Sequence, residues 1–241
     1  MASQDATQFG GGRLFFSALR VWRDNLLVLT GLAFLMNLAL YAVGLVLLTV
    51  LGLNSTFLDL IFGPLIGAIL MLVAADVVAG QQVDLRAHIN RVSALFAPLV
   101  ILSLAVAFLA VIGLMALIIP GLYVVAVFIA VTPLILFENA GWDALRRSFE
   151  LCKSHVLPII GVLLRLGVLA ILVMAPVFLM TVGTASDGEL VVGPLVPGLE
   201  ILTAAIFVLL SSATSSLATL LVLMIYHRLK DLTEGVSHIF D

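Results

Sequence analysis

Long apolar runs separated by short polar segments fill almost the whole chain. Most are close to the roughly 20 residues that an α-helix needs to cross a hydrocarbon layer of about 30 Å. Only helices or closed barrels can satisfy their backbone in lipid, and these runs lack the alternation of barrel strands. The pattern predicts an all-α integral membrane protein with six transmembrane helices, near residues 26–51, 60–78, 99–118, 122–137, 156–180 and 199–226.

Only Ile119, Pro120 and Gly121 separate the third run from the fourth. Proline disrupts a helix interior, and glycine readily adopts the positive φ of a tight turn. One continuous helix of about 40 residues would be too long for a single crossing. We therefore predict a helical hairpin that turns at Pro120 and Gly121.

The composition excludes an ordinary soluble domain. Apolar residues make up 63% of the chain and charged residues 10%, against roughly 45 to 50% and about 25% in soluble domains. The first residues lack the pattern of a cleaved signal peptide, so the first helix is expected to remain as a signal anchor. We expect a flexible tail at residues 1–12, one six-span domain at 13–230 and a cytoplasmic tail at 231–241.

Basic residues are distributed asymmetrically about the predicted spans. Of the 11 lysines and arginines, all except Arg165 precede the first span, follow the sixth, or lie between the second and third or the fourth and fifth. Positive residues accumulate in cytoplasmic loops. The sequence therefore predicts a multi-pass membrane protein with both termini in the cytoplasm.

Three segments on this basic side, residues 14–25, 84–97 and 142–154, have apolar residues at helical spacing. These are Leu14, Ala18, Val21 and Trp22; Leu85, Ile89, Val92 and Leu95; and Leu145, Phe149 and Cys152. Such amphipathic helices lie in the membrane interface and direct basic side chains to anionic headgroups. The arginines expected to face lipid are Arg20, Arg23, Arg86, Arg91, Arg146 and Arg147.

Each amphipathic segment precedes a pair of spans, which suggests three units of interfacial helix plus hairpin. The same three residues occur in Ala18-Leu19-Arg20 and Ala144-Leu145-Arg146, which is consistent with an internal duplication. The alternative is that each helical hairpin acquired its amphipathic helix independently, which would give the same layout. An internal repeat therefore stays an open alternative.

Arg165 lies well inside the fifth span, where an arginine costs about 2.5 to 3.5 kcal/mol at the helix centre. Asp76 and Glu138 are the acidic residues nearest to it in predicted depth. We hypothesise that Arg165 pairs with one of them. The resulting charge cluster of Arg165, Asp76 and Glu138 would be either a substrate or proton site, or a structural clasp with a snorkelling arginine.

Small residues predict close helix packing in the second and sixth spans. Gly63 and Gly67 form a GxxxG pattern, and Ser212 and Ser216 repeat the same spacing. This spacing lets two helix backbones approach closely in lipid. A hydroxyl-lined path for a small solute is the alternative interpretation of the serine-rich sixth span.

Catalytic and metal-binding motifs are missing from the sequence, including HExxH, P-loops and nucleophile elbows. The four histidines are not spaced to converge on a metal, and the single cysteine, Cys152, excludes an internal disulfide. We expect no catalytic residue, no cofactor and no metal. The sequence favours a protein that is not an enzyme.

Residues 119–151 contain I-P-G-L-Y followed by T-P-L-I-L-F-E-N-A-G-W-D-A-L-R-R-S-F-E-L, and the sixth span ends in Y-H-R-L-K-D. This pattern resembles the YciC-like family of six-span bacterial inner-membrane proteins, which is related to the membrane domain of some glycerophosphodiester phosphodiesterases. The residues that carry the resemblance are Pro120, Gly121, Glu138, Ala144, Leu145, Ser148 and the Tyr226–Asp231 segment. The resemblance implies a membrane module without the catalytic barrel.

Three classes of function follow, ranked in this order. The first is a non-enzymatic protein that organises or regulates lipids or membrane partners. The second is a transporter or channel for a small solute or lipid that uses Arg165, Asp76 and Glu138, and the third is a lipid-modifying enzyme. Expected partners are anionic membrane lipids, with another membrane protein or a further copy of the chain as a candidate; nucleic acid is not expected because the basic residues form no continuous stripe.

Overall fold

The computed structural model describes residues 10–52, 56–184, 190–192 and 200–237. Within these ranges the chain forms ten α-helices, a 3₁₀ turn and two short strands. They are α1 (Gly11–Asp24), α2 (Leu26–Leu51), α3 (Thr56–Ala79), α4 (Leu85–Ala94), α5 (Phe96–Ala116), α6 (Ile118–Val127), α7 (Val131–Glu138), the 3₁₀ turn Gly141–Asp143, α8 (Ala144–Cys152), α9 (Val156–Thr181), β1 (Val182–Thr184), β2 (Leu190–Val192) and α10 (Glu200–Ser237).

Six helical segments in the described ranges are long and apolar enough to cross a membrane. They are Leu26–Leu51, Leu58–Ala79, Phe96–Ala116, Ile118–Glu138, Val156–Leu179 and Leu202–Thr233. The predicted six-span architecture is confirmed, and the chain is a multi-pass membrane protein. The strands β1 and β2 add a small antiparallel hairpin, with Gly183 opposite Val191, at the connection between the fifth and sixth spans.

The third and fourth spans form the predicted hairpin, but the predicted turn position was wrong. The break is at Leu117, whose backbone is extended at φ −168° and ψ 153°, and Pro120 and Gly121 belong to the first turn of α6. Gly121 does not have a positive φ. Gly121 instead allows α5 and α6 to approach closely. A Cβ on Gly113 would lie 2.8 Å from the Gly121 Cα.

The fourth span is divided into α6 and α7 by a break at residues 128–130. Pro133, in the first turn of α7, has no N–H to donate to the carbonyl of residue 129, and its ring would clash with that carbonyl in a continuous helix. The break therefore follows from the sequence. It leaves carbonyl groups at the end of α6 for other elements to bond.

Helix α10 packs against α2 through a row of hydrogen bonds between polar side chains. The Trp22 indole N–H donates to Ser216 Oγ at 2.9 Å, and Thr30 Oγ1 lies 3.2 Å from the same oxygen. Deeper in the bundle, Asn37 Nδ2 donates to Ser212 Oγ at 3.3 Å. Both serines are buried, so this row of groups holds α1 and α2 against α10.

Residues predicted as tails are in part helical. Helix α1 already begins at Gly11, and α10 continues through residues 231–237. Residues 1–9 and 238–241, the remainder of the two predicted tails, lie outside the described residues. The polar residues after the sixth span therefore extend that helix beyond its apolar part.

The helices α1, α4 and α8 lie at one end of the bundle with the C-terminal ends of α3, α7 and α10, as contacts such as His88 with Asp76 and Arg147 with Glu138 show. We call this the basic end. Each short helix buries one face: Phe15 and Ala18 in α1, Val92 in α4, and Ala144, Ser148 and Cys152 in α8.

For α8, only one residue of the predicted apolar face, Cys152, is fully buried in the bundle. Leu145 is only partly buried and Phe149 is 43% exposed. The buried face is formed by Ala144, Ser148 and Cys152, which are small enough to bring α8 close to α6 and α7. Small size, and not hydrophobicity, selects the packed face of this helix.

Candidate functional site at the basic end

Glu138, the last residue of α7, is the centre of a group of polar side chains at the basic end. Its Oε2 accepts a hydrogen bond from Arg147 Nη2 at 2.7 Å, and its Oε1 accepts one from the Tyr226 hydroxyl at 2.7 Å. Lys230 Nζ lies 3.9 Å from Oε1. We call Glu138, Arg147, Tyr226 and Lys230 the Glu138 cluster.

Local structure explains why these four residues meet. Tyr226 and Lys230 are four residues apart on α10 and so share one helix face. Tyr226 is buried, and its ring stacks on Phe137 with 6.0 Å between centroids. A carboxylate at a helix C-terminus is disfavoured by the helix dipole, and the two cations offset that repulsion. The cluster therefore fixes α8 and α10 to the end of α7.

A cavity of about 420 Å³ adjoins the Glu138 cluster. Its charged lining residues are two cations and two carboxylates, Arg147 and Lys230 with Glu138 and Glu150. These charges balance, so the cavity has no strong preference for an anion. Together with the short contacts of Glu138, this indicates a structural clasp more than a pocket that selects a charged solute.

Helix α4 is fixed by two further polar contacts. His88 Nε2 lies 2.7 Å from Asp76 Oδ2, and both side chains are largely buried. The Arg91 guanidinium donates a hydrogen bond to the Leu136 carbonyl, one of the last-turn carbonyls of α7 that have no partner inside their helix. These contacts tie α4 to both α3 and α7.

Helix α8 is bonded to the break between α6 and α7. Ser148 Oγ donates to the Val127 carbonyl at 2.8 Å, inside the protein. Cys152 is buried one turn further along, close to the Ala130 backbone. Burial raises the pKa of the Cys152 thiol to about 11. Because the thiolate is the reactive form, this cysteine is inert at neutral pH.

Arg165 does not join the predicted charge cluster. Its Nη1 donates to the Gly161 carbonyl at 3.1 Å on an exposed face of α9. Asp76 bonds His88 and Glu138 bonds Arg147 and Tyr226, so the predicted pairing of Arg165 with either carboxylate is not formed. Helical side chains point towards the helix N-terminus, which here directs Arg165 towards the basic end, as a snorkelling arginine requires.

The six arginines predicted to face lipid divide into two groups. Arg20, Arg23, Arg86 and Arg146 are exposed, and their contacts are at most surface ion pairs such as Arg146 with Glu150 at 3.1 Å. Such pairs contribute little. Arg91 and Arg147 are exposed as well, but their guanidinium groups also bond to α7.

The glycines of the GxxxG pattern do not mediate close packing within the described structure. A Cβ built on Gly63 or Gly67 would meet no heavy atom within 4 Å. The close approach that this spacing predicted occurs instead between Gly113 and Gly121. Small-residue spacing identifies a permissive helix face, but it does not identify the helix that will occupy that face.

Sequence reasoning missed Tyr226, Lys230 and His88 as partners of Glu138 and Asp76. The four-residue spacing of Tyr226 and Lys230 was the available signal. Within the described residues, no three His, Cys, Asp or Glu side chains are placed to hold a metal. The described side chains of the site pair charges and hold α4, α8 and α10 against α3 and α7. No protein-family model, curated protein or solved structure matches the chain.

Proposed function

We propose that this chain is a non-enzymatic, YciC-like protein of the bacterial inner membrane that organises or regulates lipids or membrane partners from the cytoplasmic face. The observation that carries the proposal is the outward position of Arg20, Arg23, Arg86 and Arg146 at the basic end. The helices that bear them bury their opposite faces in the bundle. The arginines thus lie on the outer side of packed helices, where we expect headgroups.

The energetics favour anionic lipid as the first partner. Each lysine or arginine near an anionic leaflet contributes about 1 kcal/mol of attraction. Within the cluster at α7, Arg147 is neutralised by Glu138, so the internal charges compete little for lipid. The positive-inside rule supports a cytoplasmic position for this end, and anionic lipid gives the cytoplasmic leaflet its negative potential.

A transport function has less support. The charge cluster on which it depended is not formed, and Ser212 and Ser216 are bonded to α1 and α2. In the described residues every buried side-chain nitrogen or oxygen has a hydrogen-bond partner. A conducting path requires polar groups at several depths along one lumen. The hydroxyl groups of Ser212 and Ser216 are instead hydrogen-bonded to neighbouring helices and are not available to a solute.

Purification in mild detergent, with mass spectrometry of retained lipids and proteins, tests this proposal. We expect phosphatidylglycerol to be retained by the wild type and depleted in the Arg20→Gln/Arg23→Gln/Arg146→Gln variant, by about fivefold for each arginine. Arg165→Gln, which removes one arginine from a span, is the control and should retain lipid normally. A small molecule lost only from Arg165→Gln, or equal lipid retention in all samples, would contradict the proposal.

A further inference from the structure

The cavity beside the Glu138 cluster lies between α8 and α10 at the basic end. Its volume of about 420 Å³ is within the range of about 300 to 1,000 Å³ that small-molecule sites occupy. Arg147 and Glu150 line it from α8, three residues apart and so on one helix face. Lys230 lines it from α10, and Glu138 lines it from the end of α7. Both signs of charge are therefore presented to one cavity.

The cations of this cavity have donors that Glu138 does not use. Both oxygens of Glu138 already accept hydrogen bonds, one from Arg147 and one from Tyr226. A guanidinium has five N–H donors, and within the described residues Glu138 is the only partner of Arg147. The Lys230 Nζ lies 3.9 Å from Glu138, and the side chains of Lys230 and Arg147 are about half exposed. The two cations can therefore donate to an anionic group in the cavity.

Glu150 supplies the opposite charge one helical turn from Arg147. Its Oε1 accepts from Arg146 Nε at 3.1 Å, and its Oε2 has no partner in the described part of the chain. A carboxylate oxygen accepts hydrogen bonds, so it binds an ammonium that still has N–H groups. Quaternary ammonium groups are bound by aromatic faces, and none of the described lining residues is aromatic. The lining therefore favours a primary ammonium over a quaternary one.

We propose that this cavity binds an ethanolamine phosphate group, with the phosphate at Arg147 and Lys230 and the primary ammonium at Glu150. Arginine suits phosphate because its planar donors match the phosphate oxygens. The cations and carboxylates of the lining balance, so a ligand that carries both charges gains more than a net anion does. A lipid headgroup and a soluble compound can both carry this group. The site is separate from the outward arginines of the proposed function, so either assignment can fail alone.

Protection of a cavity cysteine from a maleimide tests the assignment. Thr233 is exposed and lines the cavity, so Thr233→Cys reports its occupancy in phosphatidylcholine nanodiscs that contain increasing phosphatidylethanolamine or phosphatidylglycerol. Half-maximal protection by phosphatidylethanolamine should need about tenfold less lipid than protection by phosphatidylglycerol, which lacks the ammonium that bonds Glu150. Asn90→Cys, exposed on α4 outside the cavity lining, corrects for general effects of each lipid on the labelling rate.

Removing the carboxylate that binds the ammonium provides a second test. Glu150→Gln, combined with Thr233→Cys, should raise the amount of phosphatidylethanolamine needed for half-maximal protection about tenfold. Surface ion pairs such as that of Glu150 contribute little to stability, so this variant should fold. Asp143→Asn removes an exposed carboxylate just before α8 and outside the lining, and it should leave protection unchanged. Ser154→Cys, also in the lining, replaces Thr233→Cys as the reporter if that variant unfolds.

Soluble O-phosphoethanolamine, added to nanodiscs of phosphatidylcholine alone, separates the two sources of the ligand. Protection by the lipid alone assigns the site to a headgroup, and protection by the soluble compound assigns it to a solute; both support the site. Three results would overturn it: equal protection by phosphatidylethanolamine and phosphatidylglycerol, unchanged protection in Glu150→Gln, and no protection by either ethanolamine compound. If phosphatidylglycerol still co-purifies in an arginine-dependent manner, only the cavity assignment fails.

Discussion

Replacing Gly113 with alanine will lower the thermal stability of the protein in detergent. The new Cβ would lie 2.8 Å from the Gly121 Cα and 2.9 Å from its nitrogen. Both are backbone atoms, so relief requires α5 and α6 to move apart. Overpacking of this kind costs about 1 to 3 kcal/mol. Thermal unfolding followed by intrinsic fluorescence measures the loss.

Gly67→Ala is the matched control, because a Cβ there meets open space. It should leave stability unchanged or raise it by up to about 1 kcal/mol, since alanine favours a helix over glycine. Equal destabilisation by Gly113→Ala and Gly67→Ala would show that α5 and α6 do not approach as described. The comparison separates close packing from helix propensity.

Replacing Glu138 with alanine will also destabilise the protein. Arg147 and Tyr226 would each lose a 2.7 Å contact. Leaving a buried partner unsatisfied costs about 1 to 3 kcal/mol. Helix α8 would detach more readily from α7, so backbone hydrogen exchange in residues 144–152 should accelerate. Thermal unfolding and hydrogen exchange by mass spectrometry measure the two effects.

Glu150→Ala is the control, because it removes a nearby carboxylate from α8 that pairs with Arg146 on the surface. A pair of this kind contributes about 0.3 to 0.5 kcal/mol, so Glu150→Ala should leave the thermal stability nearly unchanged. A double-mutant cycle between Glu138→Gln and Tyr226→Phe should show coupling, because the two side chains share a hydrogen bond. Additive losses would mean that the cluster is not held together as described.

The spans were predictable because a membrane imposes one requirement on every crossing: enough apolar residues to cover the hydrocarbon. The break before Pro133 was also encoded locally, by the missing N–H, although we did not predict it. The turn was predicted at Pro120 and Gly121 and lies at Leu117 instead. Proline is tolerated in the first turn of a helix, so Pro120 did not mark the turn itself. Gly121, assigned to that turn, is needed for close packing against Gly113 instead.

The site was less predictable, because its contacts join residues far apart in sequence. Glu138 and Tyr226 are 88 residues apart, and the four-residue spacing of Tyr226 and Lys230 indicates a shared helix face without indicating that Glu138 lies beside it. Predicted depth suggested Arg165, but its side chain bonds to the preceding turn of its own helix. Depth in the membrane restricts the possible partners, whereas helix rotation determines which of them meet.

The account depends most directly on the basic end facing the cytoplasm. Ser154 is exposed there, and Asp59 is exposed near the opposite end of α3. Native Cys152 is buried with its pKa raised to about 11, so it gives little background in thiol labelling. In bacterial spheroplasts an impermeant maleimide should label Asp59→Cys and not Ser154→Cys, and in inverted vesicles the pattern should reverse. Labelling of Ser154→Cys in spheroplasts would contradict the account.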